Sequence, residues 1–238
     1  MYYVDDSLRS KYNPDGSSLR MSQLKMLDML KFVDEVCSIN EIEYWLDSGT
    51  LLGAVRHGGF IPWDDDTDIC MTRDNFDKFI LAVSSLRGDK YFIQSNDTDD
   101  GYFPAWAKIR DHSYSGQVDI FIQTDKINDS LFRLSKLFYI YLVEKLCKCP
   151  VLCKINRWLL FKIIVPVLNA ITFRRNGYLH DEYGSVYSEK RAIKNIYPVK
   201  RIEFEGIPLC VPGDSESYLA DMYGDWMTLP PEDQRHGH

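Results

Sequence analysis

No hydrophobic run in the chain is long enough to cross a bilayer. The longest apolar stretch, WLLFKIIVPVLNAITF at 158–173, falls short of the roughly 20 residues required and is interrupted by Lys162, Pro166 and Asn169. The opening MYYVDDSLRSKY has no basic stretch followed by an apolar core, so no secretory signal is expected. The six cysteines (Cys37, Cys70, Cys147, Cys149, Cys153, Cys210) include no CxxC pair. Reduced thiols and a cytoplasmic location are the expectation. Cys147, Cys149 and Cys153 lack a fourth partner at zinc-ligand spacing, which leaves apolar packing as their expected role. Internal repeats and low-complexity tracts are absent too. A net charge of −7 makes the molecule as a whole repel nucleic acid, and no nucleic-acid partner is expected.

What is present suffices for one sizeable core: 238 residues, 45% hydrophobic and 13% aromatic. From Ser22, SQLKMLDMLKFVDEVCSIN has apolar residues at helical spacing, with Ser22 as the expected N-cap. EYWLD reads as a strand, Gly49 as a turn, LLGAVRH as a short helix and FIPWDDDTDICM as a second strand. Thr72 then caps a further helix over RDNFDKFILAVSSL, and KYFIQS, PAWAKIRD and QVDIFIQ are strand-like. The expected fold is α/β, or α+β, with a mixed sheet flanked by helices in a single domain over 1–238.

The second of those strands carries Asp64, Asp65, Asp66 and Asp68 between tryptophan, isoleucine and cysteine. Carboxylates packed so closely repel one another and resist losing water, so the pattern makes sense when a cation sits among them. Strand alternation would put Asp64, Asp66 and Asp68 on one face. Hard oxygen ligands of this kind suit Mg²⁺, with Mn²⁺ as the alternative, better than zinc. A calcium loop is disfavoured because Ile69 and Cys70 stand where an EF-hand glycine belongs. Asp119, between Val118 and Ile120, would bring a further ligand from another strand. In DSGT, Gly49 lets backbone N–H groups approach a phosphate, with Ser48 and Thr50 as hydroxyl donors.

A glycine turn, an Asp-x-Asp and a later lone acid, here Gly49-Thr50, Asp66-Thr67-Asp68 and Asp119, match the nucleotidyltransferase pattern. YWLDSGTLLGAVRHGGFIPWDDDTDICM (44–71), WAKIRD (106–111), VDIF (118–121) and MYGDWMTLPPEDQR (222–235) more closely resemble the LicD family, which includes the fukutin-like proteins. The resemblance runs over about 24–238. It implies a nucleotidyltransferase-like sheet and the transfer of a phospho-alcohol, phosphocholine from CDP-choline in first place, onto a sugar hydroxyl of a bacterial surface glycan (teichoic acid, lipopolysaccharide or capsule). Ribitol, glycerol and ethanolamine donors are the alternatives, followed by nucleotidyl transfer to a small molecule or protein and by a non-enzymatic glycan-binding scaffold.

The resemblance also implies that Asp66, Asp68, Asp119 and Asp64 hold the metal, with Asp119 as a candidate general base. Lys108 and Arg110, two apart on one strand, are expected at the phosphates, and Arg56 is a further candidate. A choline head would need aromatic faces, for which Trp63, Trp106, Tyr102 and Phe103 are near in sequence. His236 is retained from the family pattern.

Residues 130–175 differ in character. Nine Lys or Arg against the single acid Glu144 give +8, which leaves −15 for the rest of a chain whose total is −7. This segment is expected as a helical insertion at about 126–185. It either packs as ordinary helices with a solvated basic face or touches the inner face of a membrane that presents a lipid-linked glycan acceptor.

Overall fold

A computed structural model describes residues 6–86, 90–96, 98–99, 102, 104–173, 177–187 and 190–237. Phe103, singled out above, lies outside the described residues, as do Arg174 and Arg175, two of the nine cations counted in the basic segment.

The chain opens with a short helix α1 (Asp6–Tyr12) and a turn that leads into α2 (Ser18–Ile39). The helix starts before the expected Ser22. Ser17 is the cap, its Oγ accepting from the Arg20 amide at 3.1 Å, after a turn in which Gly16 has φ 82°. The buried stripe of Met26, Met29, Leu30, Val33 and Cys37 faces the sheet. Strand β1 (Trp45–Leu46), helix α3 (Ser48–His57), strand β2 (Asp68–Thr72) and helix α4 (Arg73–Ser85) follow. Thr72 caps α4 as expected, through Oγ1 to the Asn75 amide. Strands β3 (Tyr91–Gln94), β4 (Ala107–Asp111) and β5 (Tyr114–Thr124) coincide with the three expected segments.

A run of helices comes next: α5 (Asp129–Phe138), a π-helical stretch Tyr139–Lys145, α6 (Pro150–Leu159), a second π-helical stretch Leu160–Ile164 and α7 (Val165–Ile171). The chain then rejoins the sheet through β6 (Tyr178–Asp181) and β7 (Lys190–Ala192). Helix α8 (Ile193–Ile196), the hairpin β8 (Lys200–Phe204) and β9 (Ile207–Val211), and α9 (Ser215–Tyr223) complete the order.

The main sheet runs β1-β2-β5-β4-β3, with β6 on the last two residues of β5 and β7 on β6. Among the described residues only β2 and β5 pair in parallel; the remaining pairs are antiparallel. This is the mixed, helix-flanked sheet expected. Its core joins α2, α4, the central strands and the β8–β9 hairpin, whereas the helical segment keeps two small clusters of its own around Tyr183 and Leu160.

Two expectations change. The acidic run is not a strand, because β2 begins only at Asp68. Upstream, the Asp64 amide turns back to the Ile61 carbonyl (3.0 Å), and the buried Gln23 amide donates to the carbonyls of Ile61 (3.3 Å) and Asp64 (2.9 Å). Backbone groups a ladder would use are thus already taken. The second change concerns the thiols: Cys147 and Cys153 are joined, their Cα atoms brought to 4.4 Å where the chain turns into α6. These two neither stay reduced nor pack as apolar side chains; Cys37, Cys70, Cys149 and Cys210 are free.

Candidate active site

The register of the sheet sets one row of polar side chains across four strands. Asp68 on β2 stands beside Asp119 on β5, Asp119 beside Lys108 on β4, and Lys108 beside Gln94 on β3. Neighbours in such a row share a face. Lys108 Nζ lies 3.3 Å from Asp119 Oδ2 and 3.1 Å from Oδ1, and Trp106 Nε1 donates to Oδ2 at 3.1 Å. Beyond that ion pair, the buried Oδ1 has no hydrogen-bond partner among the described residues. Arg110, two along from Lys108, donates to Gln94 Oε1 at 3.1 Å, so the two cations do share a face.

The loop before β2 brings the other carboxylates. Asp64 is buried, Asp66 and Asp68 are half-buried, and Asp65 is exposed. Burial raises the Asp64 carboxyl to about 8, reinforced by Asp66 and then Asp65. Burial also raises Asp68 well above its usual range, with added repulsion from Asp66, Asp47, Asp119 and Asp64. Asp119 rises through burial as well, and Lys108 and Trp106 partly counter it. Each acid therefore feels the others, and together they destabilise their own ionised state. A divalent cation reverses that sign, and the donor set, all carboxylate oxygen with one buried oxygen met only by the Lys108 ammonium, fits a hard cation. Among the described residues no three acidic, His or Cys side chains are spaced to grip an ion without adjustment. Like charges push outward, and closing them takes the attraction of the ion itself.

Gly49 is not in a free turn but in the first turn of α3. A Cβ there would come within 2.8 Å of Asp64 Oδ2, so glycine is what lets that carboxylate approach the helix start. The Thr50 hydroxyl accepts from the Asp68 amide at 2.8 Å and so fixes the start of β2, while Ser48, with φ 49°, donates to Asp47 Oδ2 at 3.0 Å. Arg56 is committed within the protein, donating to the Trp226 carbonyl (2.7 Å) and to His57 (3.0 Å), and burial lowers its pKa. Trp63 is buried against Tyr12 and His57, with Arg235 over its ring at 5.6 Å. His236 is exposed, but the adjoining Gly237 backbone reaches the Asp65 carboxylate, where a Cβ would meet it at 2.8 Å. The tail thus passes over the acidic loop.

Several residues here escape local pattern reading. Asp47, almost fully buried, accepts from the Tyr218 hydroxyl and lies 3.4 Å from Arg191, while its amide donates to the Asp68 carbonyl at 3.1 Å. It sits in the quoted YWLD motif, where a carboxylate ending a strand was the available signal. Tyr187 comes from the loop after β6 and feels Asp68 and Asp119, although burial is the larger cause of its raised pKa. Its ring meets Trp106 at 5.4 Å and Phe121 at 5.5 Å, and Trp106 and Phe121 stack at 6.0 Å. Tyr102 is buried with its hydroxyl unpartnered among the described residues. Only the fold brings Tyr187 to this cluster.

The mixed sheet thus carries the carboxylate row at the end of the acidic loop. Residues 41–141 match the family model described as LicD/FKTN/FKRP, nucleotidyltransferase domain. The Haemophilus influenzae lipopolysaccharide cholinephosphotransferase LicD is 28% identical, over 93% of this chain and 96% of its own length. The human ribitol 5-phosphate transferase FKRP is 49% identical over 39 residues, 16% of this chain and 8% of the human protein.

Proposed function

We propose that this protein transfers a phospho-alcohol from a CDP-alcohol to a sugar hydroxyl of a surface glycan and releases CMP. The observation that carries the reading is the row Asp68, Asp119, Lys108, in which two acids and one cation share a sheet face at the end of the acidic loop. Asp66, Asp68 and Asp119, with Asp64, would hold Mg²⁺ or Mn²⁺. A divalent cation bound there supplies neutralisation of the donor's diphosphate.

The remaining chemistry belongs to the chain. Lys108 and Arg110 meet the phosphoryl oxygens, and their shared face sets the donor's orientation. The acceptor oxygen forms a bond to the phosphorus nearer the alcohol as the bond from that phosphorus to the CMP oxygen breaks. The hydroxyl proton passes to Asp119, whose Oδ1 meets only the Lys108 ammonium among the described residues. Ser48, Gly49 and Thr50 shape the start of α3 beside Asp64.

CDP-choline is the first-choice donor. Support comes from the whole-length similarity to the cholinephosphotransferase and from the Trp106, Phe121 and Tyr187 rings, which offer π faces to a quaternary ammonium. CDP-ribitol is the second, because the short match to the ribitol 5-phosphate transferase is the more identical one.

The test is CMP release by purified protein with Mg²⁺, across CDP-choline, CDP-ribitol and CDP-glycerol and a panel of amino-sugar acceptors. Acceptor-dependent release with CDP-choline is expected. Release with CDP-ribitol alone would keep the site and change the alcohol, and silence with every donor would leave a glycan-binding scaffold in its place.

A further inference from the structure

The helical segment presents an apolar outer side that the fold does not use. Its inner residues make their own clusters: Phe132, Leu168 and Tyr183 in one, Tyr139, Val143 and Leu160 in the other. Its ties to the domain include the Asn128 amide to the Tyr183 hydroxyl (2.9 Å), the Gly184 amide to Ser135 Oγ (3.1 Å), Arg157 to the Asp99 carbonyl (2.9 Å), the Lys190–Asp129 ion pair (3.1 Å) and the Phe132 ring against His180 (4.5 Å). On the outer side Val151, Ile155 and Trp158 follow one another at helical spacing on α6 and are 67%, 56% and 59% exposed. Val167, Ile171 and Phe173 continue the exposure through and beyond α7. Solvated helices seldom leave so much large apolar surface unpaired.

The charges along this stretch are almost all positive. Lys145, Lys148, Lys154 and Lys162 are exposed along the same stretch, and Glu144 is the one acid between Ser130 and Phe173. Between α6 and the residue after β3's turn lies a cavity of about 280 Å³, lined by Lys154, Trp158, Lys162, Arg157, Phe161 and Asn96. Its Asn96 Oδ1 is buried without a hydrogen-bond partner among the described residues. Two lysines, an aromatic and an unpartnered acceptor suit a phosphate that carries a hydroxyl-bearing headgroup.

We infer that this outer face docks on an anionic phospholipid surface, with the Lys154–Trp158–Lys162 cavity receiving a headgroup. Charge complementarity selects the occupant. A second copy meeting the same face would oppose lysines with lysines, whereas anionic lipid answers both the cations and the apolar stripe between them. No helix among the described residues is long and apolar enough to cross the bilayer, so the contact is peripheral. The inference stands apart from the catalytic reading, because none of these residues belongs to the carboxylate row.

Its test is co-sedimentation of the full chain with phosphatidylcholine vesicles, plain or containing about one-third phosphatidylglycerol, at low and high salt. The intact protein is expected to sediment with the anionic vesicles only and to be released by salt. The pair Lys154→Glu, Lys162→Glu and, separately, the pair Ile155→Ser, Trp158→Ser should each weaken sedimentation by about tenfold or more, with the rate on a water-soluble acceptor unchanged. All four positions are exposed, so folding is not at stake, and a melting curve checks it. Absence of sedimentation, or sedimentation indifferent to both pairs, overturns the inference. So does a dimer in sedimentation velocity that the apolar pair dissolves, since that would give the face to a second copy.

Discussion

Around Asp68 and Asp119 repelling charges are held in place from behind, whereas along α5 to α7 mutually tolerant residues pack in small clusters separate from the main core. Gln23 is buried and fully used: its Nε2 holds the carbonyls of Ile61 and Asp64, and its Oε1 accepts from Asn13 (2.6 Å) and Arg20 (3.3 Å). Arg20 in turn pairs with Glu205 at 2.6 Å, and Glu205 accepts from the Phe60 amide and donates its own to the Gly58 carbonyl. The acidic loop is therefore clamped from α2 and from the β8–β9 turn. The helical segment has π-helical stretches and packs in small clusters separate from the main core, completed by Tyr183 and Val186 after β6. Rigid support for a self-repelling set suits a small, highly charged ligand that must be met in one geometry. A broad apolar and basic face suits a large, soft one.

Neutralising the carboxylate row should do the most damage. Asp68→Asn or Asp119→Asn should lower transfer by a factor on the order of 10²–10³ or more while far-UV circular dichroism stays native. Gly49→Ala should cut the rate by about tenfold or more, because its methyl would displace Asp64 Oδ2, and it should leave the melting temperature nearly unchanged, since only a side-chain end must move. Removing the clamp by Gln23→Leu deletes four hydrogen bonds and leaves the Asp64 carbonyl and the Asn13 amide without that partner, which should cost about 1–3 kcal/mol in denaturant titration.

A pH series sharpens the same contrast. A carboxyl raised in the folded state loses stability for the fold as pH climbs from its unfolded value to its folded one. With Asp64 raised to about 8, the metal-free protein in chelator should lose thermal stability between about pH 4 and pH 8. Added Mg²⁺ should flatten that decline, and equal slopes with and without Mg²⁺ would remove the cation from the site. On the opposite region, Val151→Ser should shift unfolding free energy by no more than about 0.5 kcal/mol, since the side chain is two-thirds exposed.

Helices and strands with strong periodicity were legible in advance. The Thr72 cap, the three strands ending at β5, the shared face of Lys108 and Arg110, and the pairing of Asp119 with the acidic strand all follow from local pattern plus one register. The strand assignment over Asp64 to Thr67 failed because its backbone is satisfied by Gln23, some 40 residues earlier, and no local pattern announces a glutamine bonding to carbonyls. Thr50 read as a phosphate donor because hydroxyls beside glycine often are; here it anchors the Asp68 amide. Asp47 and Tyr187 were hidden for opposite reasons. Asp47 lies inside the motif but acts through Arg191 and Tyr218, more than 140 residues away, while Tyr187 sits in a loop with no motif at all. The Cys147–Cys153 pair was missed because spacing alone does not tell a closed turn from an open one.

The most direct test sets the two regions side by side in one assay: CMP release from CDP-choline with Mg²⁺ and a soluble acceptor, for the intact protein, Asp119→Asn and the Lys154→Glu, Lys162→Glu pair. The account predicts turnover by the intact protein, near-complete loss in Asp119→Asn and an unchanged rate in the lysine pair. Intact turnover in Asp119→Asn would contradict it.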